Sequence, residues 1–112
     1  MRLRSRLPIL AANCLAALAP LAAHPQPGTP AGPVITIRNF DFAPMSVTVP
    51  VGGSVTWRNL DPEPHTVTST DGVFRSGGID QGESYTFRFT RPGTYAYLCS
   101  IHPQMRAVVV VK

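Results

Sequence analysis

Residues 46–60 read SVTVPVGGSVTWRNL, two short alternating runs separated by a pair of glycines. In the second run, Val55 and Trp57 fall on one face of an extended strand, and the polar residues beside them fall on the other. Gly52 and Gly53 supply the backbone freedom that a tight turn needs. The stretch therefore predicts two β-strands joined by a tight turn, each with one apolar face.

The same alternation recurs on both sides of this stretch. It occurs upstream in VITIRNF (34–40) and downstream in SYTFRFT (84–90), RPGTYAYLC (91–99) and AVVVV (107–111). No segment carries the apolar period of 3.6 residues that an amphipathic helix would need. About seven or eight short strands in roughly 80 residues predict an all-β fold, a small antiparallel β-sandwich.

The N-terminal segment has the layout of an export signal. Three arginines in the first six residues precede an apolar run from Leu7 to about Ala23. We expect residues 1–23 to be a cleavable signal peptide whose cleavage site is uncertain. An uncleaved membrane anchor is the alternative, but prolines and an asparagine interrupt the run. Residues 24–33, HPQPGTPAGP, predict a Pro/Gly-rich linker, and residues 34–112 the folded domain.

Removal of this signal changes both the charge and the cysteine count. The chain has ten basic and six acidic residues, a formal charge of +4. Without the three N-terminal arginines, seven basic residues face six acidic ones, and the resulting +1 argues against a nucleic-acid surface. Cys14 leaves with the signal, so Cys99 has no partner for an internal disulfide. In an oxidising compartment, such a thiol is expected to be buried or bound to a metal.

Few residues are candidates for catalysis. Asp61 and Glu63 are flanked by prolines and are expected to shape a loop, and the chain has no glycine-rich phosphate loop followed by a helix. A nucleophile pair of Cys99 and His102 is formally possible, but nothing in the sequence supplies an orienting third residue. We therefore expect no enzyme.

The stretch YLCSIHPQM (97–105) instead indicates a metal site. Its cysteine, histidine and methionine recur at every third position, and we expect a loop to bring Cys99, His102 and Met105 together. A second imidazole from His65 would complete the two-histidine, one-cysteine, one-methionine set of a blue copper site. Zinc fits less well, because structural zinc sites rarely use a thioether. Each residue alone has an ordinary packing or turn explanation, but the combination in an exported, single-cysteine β domain favours copper.

Two segments carry a resemblance to a known family. FDFAPMSVTVPVGGSVTWRNLDPEPHTV (40–67), followed by GTYAYLCSIHPQMRAVVVV (93–111), resembles the cupredoxins, the plastocyanin/azurin family. The Cys-x2-His-x2-Met spacing is similar to that of the short-loop amicyanin type. The resemblance implies a Greek-key β-sandwich with one type 1 copper ion. It also implies three equatorial ligands and one axial ligand, namely His65, Cys99 and His102 with Met105.

Three residues depart from the family pattern. One is Ala107, where the family has a glycine two positions after the axial methionine, which suggests that close backbone approach is relaxed there. The family usually has asparagine after the first histidine, where this chain has Thr66, and we expect the threonine hydroxyl to make a similar tie between the ligand loops. Amicyanins often carry proline two residues after the cysteine, where this chain has Ile101. We expect the N–H groups of Thr66 and Ile101 to donate to the sulfur of Cys99.

The resemblance implies a carrier of single electrons between redox partners. The alternative is an exported copper-binding protein for storage, delivery or resistance. We expect a monomer, periplasmic if the source is bacterial, with no nucleic-acid partner and no stable membrane insertion of the mature domain. Redox proteins would dock on an apolar patch around His102, whose candidate residues are Pro44, Met45, Pro62, Pro64 and Pro103.

Overall fold

The computed structural model describes residues 32–112. Within that range it has eight β-strands, and none of its segments is a helix long and apolar enough to cross a membrane. The strands are β1 Val34–Arg38, β2 Asp41–Ala43, β3 Ser46–Val49, β4 Ser54–Asn59, β5 Thr68–Ser69, β6 Ser84–Arg88, β7 Gly93–Cys99 and β8 His102–Val111. The all-β prediction is confirmed, and each expected strand is present. The predicted signal peptide and most of the predicted linker lie outside the described residues.

Two four-stranded sheets form a sandwich. One sheet has the order β2-β1-β4-β6, and the other has the order β3-β8-β7-β5. The expected antiparallel pairing holds for four of the six strand pairs within residues 32–112, but β1 pairs with β4 in parallel and β3 pairs with β8 in parallel. Parallel neighbours need a crossover, and here the intervening chain supplies it by passing through the opposite sheet. Alternation predicts the face that each residue takes, but it does not predict which neighbour a strand pairs with.

The glycine turn at residues 50–53 forms as predicted, but it joins the two sheets. The N–H of Gly53 donates to the carbonyl of Pro50 at 2.9 Å, which closes the turn. A Cβ on Gly53 would lie only 2.9 Å from that same carbonyl oxygen, and Gly52 has a φ of 89°. Both positions therefore favour glycine. The turn carries the chain from β3 in one sheet to β4 in the other.

The core between the sheets is rich in aromatic rings. Trp57 is fully buried, and its ring centroid lies 5.4 Å from that of Tyr97 and 5.7 Å from that of Phe74. Large aromatic side chains supply much of the apolar area that so small a core can bury. Cys99 and Met105 belong to the same buried cluster. The packing of the sheets therefore sets the positions of two of the candidate ligands.

Candidate metal centre

Two of the candidate ligands close a β-hairpin. Strand β7 ends at Cys99, strand β8 begins at His102, and the two residues are cross-strand partners on either side of a two-residue turn. The next pair in the register is Leu98 with Arg106, so residues 103–105 have no partner on β7 and form a bulge. The expectation of a single irregular loop is therefore wrong in detail. A tight hairpin followed by a bulge brings the cysteine and the histidine together.

The bulge contains the third candidate from this segment. Met105 is 1% exposed, although the residues on either side of it are exposed. Extra residues on one strand redirect the side chains that they carry. The bulge thus returns the Met105 side chain to the core only three residues after His102.

The remaining candidate, His65, lies in the segment between β4 and β5. Its N–H donates to the carbonyl of Ile79 at 3.1 Å, and its carbonyl accepts from the N–H of Ile79 at 2.7 Å. The side-chain amide of Asn59 donates to the carbonyl of Ile79 at 2.8 Å as well. This bridge holds His65, which is 0% exposed, against the end of the sandwich where Cys99 lies.

The two imidazoles and the thiol present a compact triangle of donor atoms. The Nδ1 atoms of His65 and His102 are 3.2 Å apart, and the Sγ of Cys99 lies 3.8 Å from the first and 3.6 Å from the second. The circumradius of a triangle with these sides is about 2 Å, close to the ~2.0–2.3 Å bonds that zinc, a similar first-row metal, makes to histidine nitrogen and cysteine sulfur. A single metal ion at its centre would therefore be within bonding distance of all three atoms. Three of the four predicted site residues meet in this triangle.

Asp61 is part of the site, and the sequence analysis missed it. Its Oδ2 accepts a hydrogen bond from the Nε2 of His65 at 2.8 Å, which leaves the Nδ1 of that ring to face the triangle. Burial by itself would raise the pKa of the Asp61 carboxyl, but hydrogen bonds from the backbone of Phe40 and Asn39 and from His65 lower it overall. Metal-binding histidines commonly donate their second ring N–H in this way. The four-residue spacing between Asp61 and His65 was the only sequence signal.

The sulfur of Cys99 receives its backbone hydrogen bond from one side only. The N–H of Thr66 donates to the Sγ at 3.3 Å, as expected, and the hydroxyl of Thr66 lies 3.9 Å away. Among the hydrogen bonds of residues 32–112, none runs from the N–H of Ile101 to this sulfur. The expectation for Ile101 is therefore wrong. In this turn the residue instead presents a side chain that is 52% exposed.

Thr66 ties the two ligand segments together, as its position predicted. Its Oγ1 accepts a hydrogen bond from the N–H of Ser100 at 2.7 Å and shares a second one with the hydroxyl of Ser100 at 2.8 Å. Ser100 immediately follows Cys99, so this link spans the 34 residues between the first histidine segment and the hairpin. The expected tie between the ligand segments is confirmed, with a hydroxyl at the position where the family usually has an amide.

One partly exposed aromatic ring packs beside the half-buried histidine of the site. The ring of His102 is half-buried, and the ring of Phe40 lies perpendicular to it with the centroids 5.0 Å apart. Phe40 is 38% exposed and Ile101 is 52% exposed; neither was among the predicted patch residues. The five predicted patch residues are all exposed, namely Pro44, Met45, Pro62, Pro64 and Pro103.

Comparisons with known proteins agree on the family. Residues 9–111 match the family described as the cupredoxin-like domain. Amicyanin-alpha of Methylorubrum extorquens is 33% identical over 115 residues, which span 93% of this chain and 92% of that protein. Amicyanin of Paracoccus versutus is 31% identical over 84 residues, covering 70% of this chain and 64% of that protein.

Solved structures of amicyanin have the same fold. A mutant amicyanin in its Cu(I) form superimposes with a TM-score of 0.71 at 32% identity, covering 75% of this chain and 85% of that one. Another mutant, in a reduced Cu(I) form at pH 4, gives a TM-score of 0.68 at 33% identity, with 70% and 80% of the two chains covered. In both comparisons the sequence identity is above 30% and the fold is shared with this chain.

Proposed function

The chain belongs to the cupredoxin-like family, and from this premise we propose that it is a mononuclear type 1 copper protein that carries single electrons between redox partners. It is a carrier and not an enzyme. The proposed donor set of two imidazoles, one thiolate and a weak thioether is that of electron-transfer copper sites. The observation that carries the proposal is the triangle of two Nδ1 atoms and one Sγ, with sides of 3.2, 3.6 and 3.8 Å.

The proposed ligands are His65, Cys99 and His102 in the equatorial plane, with Met105 as a weak axial ligand. Two imidazoles and one thiolate with a distant thioether are the donor set of blue copper sites. Cys99 and His65 are both fully buried. Their burial favours a role as metal ligands over a role in an ordinary surface turn. The burial of Met105 at the same hairpin supports the axial assignment.

The surrounding residues hold the proposed ligands in place. Copper, when bound, alternates between Cu(I) and Cu(II) and so supplies the one-electron chemistry. Asp61 orients the ring of His65, and Thr66 both donates to the sulfur of Cys99 and links the two ligand segments. Ligands that are locked by packing and by hydrogen bonds move little when the metal changes its charge. A small rearrangement is what rapid electron transfer requires.

We propose that redox partners dock on the apolar surface around His102 and that the protein is a monomer. Of the three residues in the triangle, His102 is the one that is not fully buried, so its imidazole is the favoured route from the proposed copper position to this surface. Phe40, whose ring contacts His102, and Ile101, the residue before that histidine in the chain, are exposed apolar side chains that would extend the patch proposed from the sequence. With seven basic and six acidic residues in 32–112, long-range electrostatic steering would be weak. Transient apolar contact is therefore the favoured mode of docking.

We also propose export, with residues 1–23 as the signal, 24–33 as a linker and 34–112 as the copper domain. The compartment would be the periplasm in a bacterial source. The three arginines followed by an apolar run support the signal, and the single remaining cysteine suits an oxidising compartment. The mass of the protein recovered from the exported fraction would locate the cleavage site.

The visible spectrum of the copper-loaded protein tests the proposed function. We expect an intense thiolate-to-Cu(II) band in the oxidised protein, its loss on reduction and its return on reoxidation. The variant Cys99→Ser should be colourless. A colourless wild-type protein that binds only zinc would overturn the proposal. A protein that hands Cu(I) to a metal-free acceptor and does not cycle reversibly would instead be a copper-delivery protein.

A further inference from the structure

One carboxylate joins a proposed copper ligand to a distant backbone turn. Oδ1 of Asp61 accepts from the N–H of Asn39 at 2.7 Å, and Oδ2 accepts from the N–H of Phe40 at 3.0 Å and from the Nε2 of His65 at 2.8 Å. Asp61 is only 5% exposed. Three N–H donors satisfy most of the acceptor sites of this buried carboxylate, and hydrogen bonds to a charged acceptor are stronger than neutral ones.

The turn that Asp61 holds has an uncommon backbone. Asn39 has a φ of 53° and Phe40 has a φ of 58°. The left-handed region is acceptable for asparagine but unfavourable for a bulky residue such as phenylalanine. Such a conformation persists where the surroundings over-determine it. Here the two hydrogen bonds to Asp61 and the pairing of Arg38 with Asp41 across the turn hold it in place.

The left-handed backbone conformation at Asn39 and Phe40 places the ring of Phe40 against the two histidines. Its centroid is 5.1 Å from that of His65 with an interplanar angle of 88°, and 5.0 Å from that of His102 with an angle of 87°. The two imidazole centroids are themselves 5.0 Å apart. One phenyl ring thus contacts both imidazoles at perpendicular angles, which is a favourable aromatic geometry. Because Phe40 is partly exposed, it lies between the imidazole pair and solvent.

We propose that Asp61 and Phe40 act as one positioning unit for the two histidines. Through His65, the carboxylate of Asp61 fixes the first ring directly. Through the turn at Asn39 and Phe40, the same carboxylate fixes the phenyl ring that holds both imidazoles in their relative orientation. This inference rests on the proposed role of the histidines as copper ligands, but its first test needs no copper.

The unit predicts a specific response to loss of the carboxylate. An amide at position 61 has a single acceptor oxygen, so at least one of the three N–H groups must lose its partner. Glu63 provides a matched control, because it is exposed two residues along the same segment and its carboxylate makes none of the hydrogen bonds described for residues 32–112. Asp61→Asn and Glu63→Gln remove the same formal charge, but only the first touches the histidine and the turn.

The metal-free protein gives the first readout. Hydrogen exchange measured by NMR at the amides of Asn39 and Phe40 should accelerate about tenfold or more in Asp61→Asn, because a bond to a charged acceptor is lost. The Nε2 proton of His65 should exchange faster as well. Glu63→Gln should leave all three signals unchanged. If Asp61→Asn also leaves them unchanged, the carboxylate does not hold the turn and the inference is wrong.

Copper affinity gives the second readout. Asp61→Asn should weaken copper binding about 10- to 100-fold, as expected for loss of a residue that orients a metal ligand, whereas Glu63→Gln should stay close to wild type. In a Phe40→Ala background, Asp61→Asn should cost less than in the wild type, because part of its action passes through the phenyl ring. Additive effects would show that the two residues act independently and would refute the unit. A wild-type protein that binds no copper would refute the proposed function while leaving the NMR result to stand.

Discussion

Thr66 acts on the candidate site with its backbone and its side chain separately. Its N–H donates to the sulfur of Cys99, while its hydroxyl accepts from the N–H of Ser100 and contacts the hydroxyl of Thr68 at 3.2 Å. The family's usual asparagine offers an acceptor on a longer side chain. A threonine can replace it here because its hydroxyl lies only 2.7 Å from the Ser100 nitrogen.

Removal of this hydroxyl should loosen the link between the ligand segments. For Thr66→Val, we expect the unfolding free energy of the metal-free protein to fall by about 1 kcal/mol, the usual value of one hydrogen bond. Chemical denaturation measures this change. Thr68→Val is the control, since within residues 32–112 its hydroxyl makes only the longer contact with Thr66 and should matter less. A Thr66→Val protein as stable as the wild type would show that the link contributes nothing to the fold.

Among the elements, the β7–β8 hairpin contributes three of the four candidate ligands. Its two-residue turn places Cys99 opposite His102, and its bulge at residues 103–105 returns Met105 to the core. A regular hairpin would continue the cross-strand pairing beyond His102. The irregularity is therefore what allows three soft side chains within seven residues to face one end of the sandwich.

The substitution Met105→Leu distinguishes a packing role of Met105 from a role as a copper ligand. Leucine conserves most of the buried volume, so the unfolding free energy of the metal-free protein should change by less than about 1.5 kcal/mol. If the thioether is the axial ligand, however, the reduction potential of the copper-loaded protein should rise, because a weak donor to copper has been removed. Calorimetry and voltammetry measure the two effects. An unchanged potential and an unchanged visible spectrum would assign Met105 to packing alone.

At the scale of the whole molecule, the two sheets enclose an aromatic core with two unpaired polar atoms. The hydroxyl of Tyr97 and the Nε1 of Trp57 are buried without a hydrogen-bond partner in the described part of the chain. Burial raises the pKa of Tyr97 to about 12, and the nearby Trp57 side chain, as a weak hydrogen-bonding neighbour, lowers it only in part; the two groups do not reach hydrogen-bond geometry with each other. A buried hydroxyl without a partner forfeits its bonds to water and gains little in return.

Tyr97→Phe should therefore leave the fold as stable as the wild type or more stable, by up to about 1–2 kcal/mol, because the variant removes a desolvated hydroxyl. Tyr95→Phe is the matched control. The hydroxyl of Tyr95 donates to the carbonyl of Arg91 at 2.7 Å, and its loss should cost about 1 kcal/mol. Thermal unfolding of the two variants compares them directly. A Tyr97→Phe protein less stable than Tyr95→Phe would mean that the Tyr97 hydroxyl has a partner in solution.

The amino-acid sequence by itself determined where six of the eight strands described in residues 32–112 run, which apolar side chains of β4 face the core and which four residues are candidate ligands, because alternation and residue chemistry are local properties. Val55 and Trp57 are buried as their alternation predicts. Only the tertiary structure decided which strands became neighbours. A two-residue alternation encodes the face that a side chain takes but not the partner strand, so the parallel pairs β1–β4 and β3–β8 had no local signal.

The role of Asp61 was also invisible in the sequence, because it depends on contacts between residues that are far apart in the chain. Its donors at Asn39 and Phe40 lie 22 and 21 residues away, and backbone N–H groups have no sequence signature. Only the folded sheets bring that carboxylate, that turn and the two imidazoles within hydrogen-bonding and van der Waals distance of one another.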